Sequence, residues 1–151
     1  MEHKSIVDRL SDDLKTAMKS RDAHRVATLR MAISAMNYRR IERMSALSDE
    51  EQEDVVRKQV KQRDDSIDEF TKGGRADLAD KEKREREILK EYLPAEMSAQ
   101  QLQAEVQSII SGLGPDAKFS DAMKAAIPAL GKRANGKAIQ EAVKAAMAAK
   151  S

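Results

Sequence analysis

Apolar residues recur at intervals of three and four along most of the chain, a period that a helix turns into one continuous face. Ile6, Leu10, Leu14 and Met18, with Val7 and Ala17 beside them, predict a first helix. Val26, Leu29, Ile33 and Met36 repeat the spacing and predict a second from about Asp22 to Met44. Ser45 to Ser48 reads as a turn, and Ser48 followed by Glu51 is a capping box, in which each side chain satisfies the other residue's backbone donor. The third helix carries Val56, Val60, Ile67 and Phe70, and Gly73-Gly74 ends it, because glycine takes the left-handed conformation at little cost.

A fourth helix is predicted from about Arg75 to Tyr92. Its middle, Lys81 to Glu87, is charged on every side and reads as a solvated segment laced by pairs such as Glu82 with Arg86. Only its ends, Leu78 and then Ile88, Leu89 and Tyr92, are apolar enough to pack. Leu93-Pro94 breaks the pattern and marks a boundary, giving domains of 1–95 and 96–151. Beyond it, Ser98 with Gln101 caps a fifth helix bearing Leu102, Val106, Ile109 and Ile110, and Gly112-Leu113-Gly114-Pro115 stops it. Ser120 or Asp121 is expected to cap a sixth helix with Met123, Ile127 and Leu130, which Pro128 should kink or end. Gly131 to Gly136 is a basic turn, and the last helix shows Ile139, Val143 and Met147. The fold class is therefore all-α: about four helices, then a small C-terminal three-helix bundle.

Composition narrows the chemistry. Cysteine is absent, which removes disulfides, thiolate metal sites and a cysteine nucleophile, and suggests a reducing cytoplasm. The opening Met1-Glu2-His3-Lys4 has no apolar run behind it and no stretch nears the length of a membrane span, so a soluble chain without a leader is expected. His3 and His24 lack ligand spacing; His3 is expected to be disordered and His24 to lie on the surface. No pair of carboxylates stands out for acid–base work. Gly73-Gly74 lacks the Lys-Ser/Thr of a phosphate loop, and Met18, Met31, Met36, Met123 and Met147 read as core filler. Neither a catalytic residue, a metal nor a cofactor is expected.

Charge layout is the one feature with functional content. Arg21 to Arg43 holds six arginines against Asp22 and Glu42, and Ala117 to Ser151 holds seven basic residues against Asp121 and Glu141. Between Asp49 and Lys72 nine acidic residues outnumber five basic ones. Segregated arginine and lysine is the footprint of a phosphate-binding surface, whereas ordinary scatter with a strut between the second and third helices gives the same tally. With only Tyr38, Phe70, Tyr92 and Phe119 as aromatics, sequence-specific single-strand recognition is not expected. Composition leaves RNA binding and a protein–protein role equally open.

Three segments in order, Lys61 to Phe70, Gly73 to Ala79 and Glu91-Tyr92-Leu93-Pro94, resemble the YqeY family, which is named together with the GatB subunit of the tRNA-dependent amidotransferase. Leu29-Arg30 and the run Gly131-Lys132-Arg133-Ala134-Asn135-Gly136-Lys137 fit the same family, so the likeness covers essentially the whole chain. Asn135 stands where the family usually has Asp, and Ser120-Asp121 where it usually has Gly-Lys, which removes one candidate phosphate contact. The resemblance implies a helical N-terminal part joined to a small three-helix part. It also implies the tRNA-holding role of the amidotransferase tail, with amide transfer left to other domains. A family label of carbon–nitrogen ligase with glutamine as amido-N-donor would describe the whole complex.

On that reading Lys132, Arg133 and Lys137 contact the tRNA backbone, Asn135 and the amides near Gly136 add a helix N-terminal phosphate site, and Arg39 and Arg40 extend the surface. Arg30 could extend it as well, but a structural role, buried against third-helix acids such as Asp64 or Asp68, is the expectation for it. The partners expected are tRNA and an amidotransferase or synthetase, with neither DNA nor membrane. The alternative is an adaptor docking on such an enzyme through apolar positions such as Leu113 or Phe119; an enzyme in its own right ranks last.

Overall fold

The computed structural model describes residues 3–150; Met1 and Glu2, which enter the leader expectation, and Ser151 lie outside the described residues. Those described form seven α-helices and no strand. They fall into two compact units, one ending at Leu93 and the other beginning at Pro94.

The first unit holds α1 (Ile6–Lys19), α2 (Ala23–Arg43), α3 (Asp49–Lys72) and α4 (Ala76–Lys90). Its core joins Leu10 of α1, Leu29 and Met36 of α2, Val56 of α3 and Leu89 of α4, with Tyr92 just beyond. Local chemistry sets the helix ends. Ser5 and Asp22 each accept the backbone N–H three residues on, opening α1 and α2. Ser48 accepts the Glu51 N–H at 3.2 Å while Glu51 accepts the Ser48 N–H at 3.1 Å, so the box opening α3 is complete. Hydrogen bonding from Ser48 also holds the Glu51 carboxyl below its ordinary pKa. Met44, in the left-handed conformation at φ 61°, closes α2. Gly74, at φ 73°, takes the same conformation just past α3.

α4 departs from the sequence reading. Its middle is solvated on one side only: Lys81, Lys83, Arg84 and Glu87 are exposed, but Glu85 is buried and charges reach across to α3. Arg86 pairs with Asp64 at 2.9 Å, and Glu82 lies 3.6 Å from the buried Arg63 rather than bonding Arg86. Both helices are charge-rich with few apolar positions, so ionic side chains share the interface with alkyl ones. Nor are all the methionines core: Met36 is buried, Met123 and Met147 pack against the second core, but Met18 and Met31 are half exposed.

The second unit holds α5 (Ala99–Gly112), α6 (Phe119–Leu130) and α7 (Gly136–Lys150) around Leu102, Val106, Ile110, Ala126, Leu130, Ile139 and Val143. Ser98 and Gln101 complete a second capping box. α6 starts earlier than expected. Lys118 is its N-cap and Asp121 is not a cap but the third helical residue, whose carboxylate accepts the Lys118 N–H at 2.9 Å. Pro128 does not stop α6, which runs two residues further; the missing N–H falls in the last turn, where buried Ala126 and Leu130 hold the backbone in place. No helix among the described residues is long and apolar enough to cross a membrane.

Replacing Ser48 or Ser98 by Ala removes the side-chain acceptor of each box and should cost about 1 kcal/mol each. Urea titrations of the single variants check this, and an unchanged midpoint in both would show that the caps contribute nothing.

Candidate nucleic-acid interface

The turn from α6 to α7 is built by backbone bonding rather than by its charged side chains. Gly131 donates its N–H to the Ile127 carbonyl at 2.9 Å, and a Cβ added at Gly131 would lie 2.7 Å from that oxygen, so the exit from α6 is made for glycine. Arg133 and Ala134 both donate to the Leu130 carbonyl, at 2.9 and 3.0 Å. The Arg133 carbonyl accepts the Met97 N–H at 2.9 Å, which pins the turn to the segment entering α5. Asn135 then caps α7: its side chain accepts the Ala138 N–H at 2.7 Å and its carbonyl the Ile139 N–H at 3.0 Å.

Lys132, Arg133, Asn135, Gly136 and Lys137 are all exposed on this fixed frame. Arg133 and Lys137 make no ion pair among the described residues. The Asn135 amide oxygen is taken up by its cap bond, so an incoming anion meets the Gly136 and Lys137 end of the helix, where the macrodipole is positive. Lys150 is drawn away from the basic set, donating to the Gly114 carbonyl at 2.9 Å.

Arg39 and Arg40 belong to α2 of the first unit, and both are exposed. Arg39 lies 3.6 Å from Glu42 on its own helix, which offsets part of its charge. Arg30 is not buried against Asp64 or Asp68: it is exposed, and Asp64 is engaged by Arg86. The buried arginine is Arg63, 6% exposed, whose Nε bonds Glu85 at 3.2 Å. The sequence carries a signal for it, because Arg63 falls between Val60 and Ile67 on the same three-four stripe.

The Glu91-Tyr92 motif also has a structural explanation. Tyr92 is buried, its hydroxyl donates to Asp13, and the Arg9 guanidinium lies 5.0 Å over its ring. Arg9 also donates to the Glu91 carbonyl, and Arg25 pairs with the Glu91 carboxylate at 2.9 Å. Burial, with the Asp13 bond added, pushes the Tyr92 phenol above its ordinary pKa and keeps it a donor. These side chains fasten the end of the first unit. His3 is placed rather than disordered, its Nε2 2.8 Å from Asp49. His24 is only partly exposed, with its Nε2 buried and without a hydrogen-bond partner among the described residues. No group of three His, Cys, Asp or Glu residues among those described could hold a metal ion.

The Yqey-like protein family matches residues 7–147, and the chain belongs to it. It is also similar to proteins named "Altered inheritance of mitochondria protein 41, mitochondrial". The relative from Lachancea thermotolerans is 35% identical over 125 residues, covering 78% of this chain and 66% of that protein. Those from Candida glabrata and Kluyveromyces lactis are 34% and 38% identical, covering 60% and 69% of this chain and 51% and 58% of theirs. The chain thus spans between half and two thirds of the length of these relatives. Their names overturn the cytoplasmic assignment and point to mitochondria. Absence of cysteine, on which that assignment rested, does not distinguish one reducing compartment from another.

Proposed function

We propose that this chain is a tRNA-holding accessory protein whose C-terminal turn grips the RNA backbone and which performs no amide transfer of its own. The observation that carries the reading is the turn itself: Lys132, Arg133 and Lys137 exposed on a frame fixed by the Leu130, Met97 and Asn135 backbone bonds, at the positive end of α7. A preformed cationic turn loses little entropy on meeting phosphate, and backbone contacts of this kind recognise the shape of a folded RNA rather than its bases. Resemblance to the amidotransferase tail supports tRNA as the RNA concerned.

The test is a competition. Labelled total tRNA bound to the protein is challenged with unlabelled folded tRNA and with an unstructured RNA of equal length. Displacement by the folded competitor at much lower concentration is the expected result. Equal displacement by both would reduce the turn to a general polyanion site and end the tRNA reading.

A further inference from the structure

α1 carries a polar stripe beside its apolar one. Arg9, Asp13, Thr16 and Ser20 are spaced four, three and four, so they stand one above another along the same side. Across from them lie Asp22 and Arg25, where α2 begins, and Glu91 and Tyr92, where the first unit ends. Together these walls enclose a surface cleft of about 410 Å³, with the buried Ala17 and Tyr92 in its lining. That volume is in the range of small-molecule sites.

The ionic groups of the cleft are not all matched to one another. Arg9 and Asp13 stand four residues apart on one helix, the spacing at which such a pair ordinarily forms. Asp13 instead takes the Tyr92 hydroxyl through Oδ2, and the Glu91 carboxylate is held by both Nη atoms of Arg25, at 2.9 and 3.5 Å. Asp22 accepts the Arg25 backbone N–H on Oδ1 at 3.1 Å. Arg9 is left without an ion pair among the described residues: its Nη2 donates to the Glu91 carbonyl at 3.1 Å, and the Tyr92 ring backs the guanidinium at 5.0 Å. Those two contacts fix it in place and leave most of its N–H donors unassigned. Oδ1 of Asp13 and Oδ2 of Asp22 likewise accept no hydrogen bond among the described residues. The Thr16 and Ser20 hydroxyls donate to the Asp12 and Ala17 carbonyls, both at 3.2 Å, so only their lone pairs remain.

This leaves one fixed donor fork beside a set of acceptors. Three carboxylates against two guanidiniums repel a lone anion, and a lone cation would leave Arg9 unmatched. A carboxylate and an ammonium carried on one carbon satisfy both halves at once. We propose that this cleft binds a free α-amino acid, its carboxylate on the Arg9 guanidinium and its ammonium on Asp13 and Asp22, with Thr16 and Ser20 as further acceptors.

NMR titration of the isotope-labelled full chain with each of the standard free L-amino acids in turn, to about 10 mM, tests this; the limit lies above a millimolar Kd. At least one should shift the amides between Arg9 and Arg25 and those of Glu91 and Tyr92, and do so saturably. N-acetylation or carboxyl amidation of that amino acid should each weaken binding at least about ten-fold, the loss of one charge-assisted hydrogen bond. Arg9→Gln should weaken it as much, with circular dichroism to check the fold; the two derivatives test the same pairing without any substitution. No shift with any amino acid, shifts confined to the second unit, or derivatives that bind as tightly as their parent would overturn the proposal. So would unchanged affinity in a folded Arg9→Gln chain. The result is independent of tRNA binding by the C-terminal turn.

Discussion

Replacing Arg63 by Ala should destabilise the first unit by about 3–5 kcal/mol, because it strands a carboxylate inside the α3–α4 interface. Arg63 and Glu85 are 6% and 7% exposed, and the guanidinium also reaches Gln59 at 3.3 Å and the Met31 sulfur at 3.7 Å. Glu82 lies 3.6 Å away, its carboxyl held above the ordinary range by burial and then by Glu85. Without Arg63 the two carboxylates face each other with no cation between them. A small domain has only about 5–15 kcal/mol in total, so the variant should sit near its unfolding limit at neutral pH.

Sign and pH follow from the same groups. A carboxyl with a raised folded pKa binds its proton before the unfolded chain does, so the folded state gains relative stability as pH falls through that value. The penalty of Arg63→Ala should therefore shrink on acidification. Removing both charges, as in Arg63→Met with Glu85→Leu, should recover most of the loss, since apolar side chains of similar volume replace such pairs without penalty. Urea unfolding followed by circular dichroism measures all three. A loss below about 1 kcal/mol for the single variant would mean that the pair behaves like one at the surface.

The second large effect is expected at Ile139. Its side chain is fully buried among Leu102, Val106, Leu130 and Val143, and its N–H closes the first turn of α7 on the Asn135 carbonyl. Ile139→Ala should cost about 2–5 kcal/mol through lost burial plus the cavity left behind. The second unit is small, with a correspondingly limited core, so little reserve stands behind the loss. Hydrogen exchange should show the amides of α7 losing protection first. A change under about 1 kcal/mol, with α7 amides as protected as before, would show that the core collapses around the gap.

How much of this was legible depends on how local the cause is. The two capping boxes were readable because Ser48 with Glu51 and Ser98 with Gln101 act across one helical turn. The start of α6 was misplaced because Asp121 reaches back to Lys118, and an acidic residue can serve at the cap or three positions beyond it. The middle of α4 misled for a different reason. A run such as Lys81 to Glu87 satisfies intrahelical pairing rules on paper, and only the position of α3 decides that Arg86 goes to Asp64 and Glu85 to Arg63. Arg63 was hidden by its residue type although its spacing gave it away. Arg30 failed in reverse, an arginine assigned to a core that had already accepted another.

The basic turn itself was visible as Gly131 to Lys137, but its rigidity was not. The Met97 N–H that holds Arg133 comes from more than thirty residues earlier, a bond that no local pattern encodes. Met18 and Met31 share the core spacing yet are half exposed, because an apolar residue at helical spacing reveals periodicity but not which neighbour it meets.

The measurement that bears most directly on the proposed role is tRNA affinity across a salt series, for the native chain and for Lys132→Glu, Arg133→Glu and Lys137→Glu combined. The account predicts binding by the native chain that weakens steeply with salt. The variant should stay folded, bind far more weakly and show a slope flatter by about two to three, the phosphate contacts it has lost. Equal affinity and equal slope in the two proteins would contradict it, and the C-terminal turn would then have no part in holding RNA.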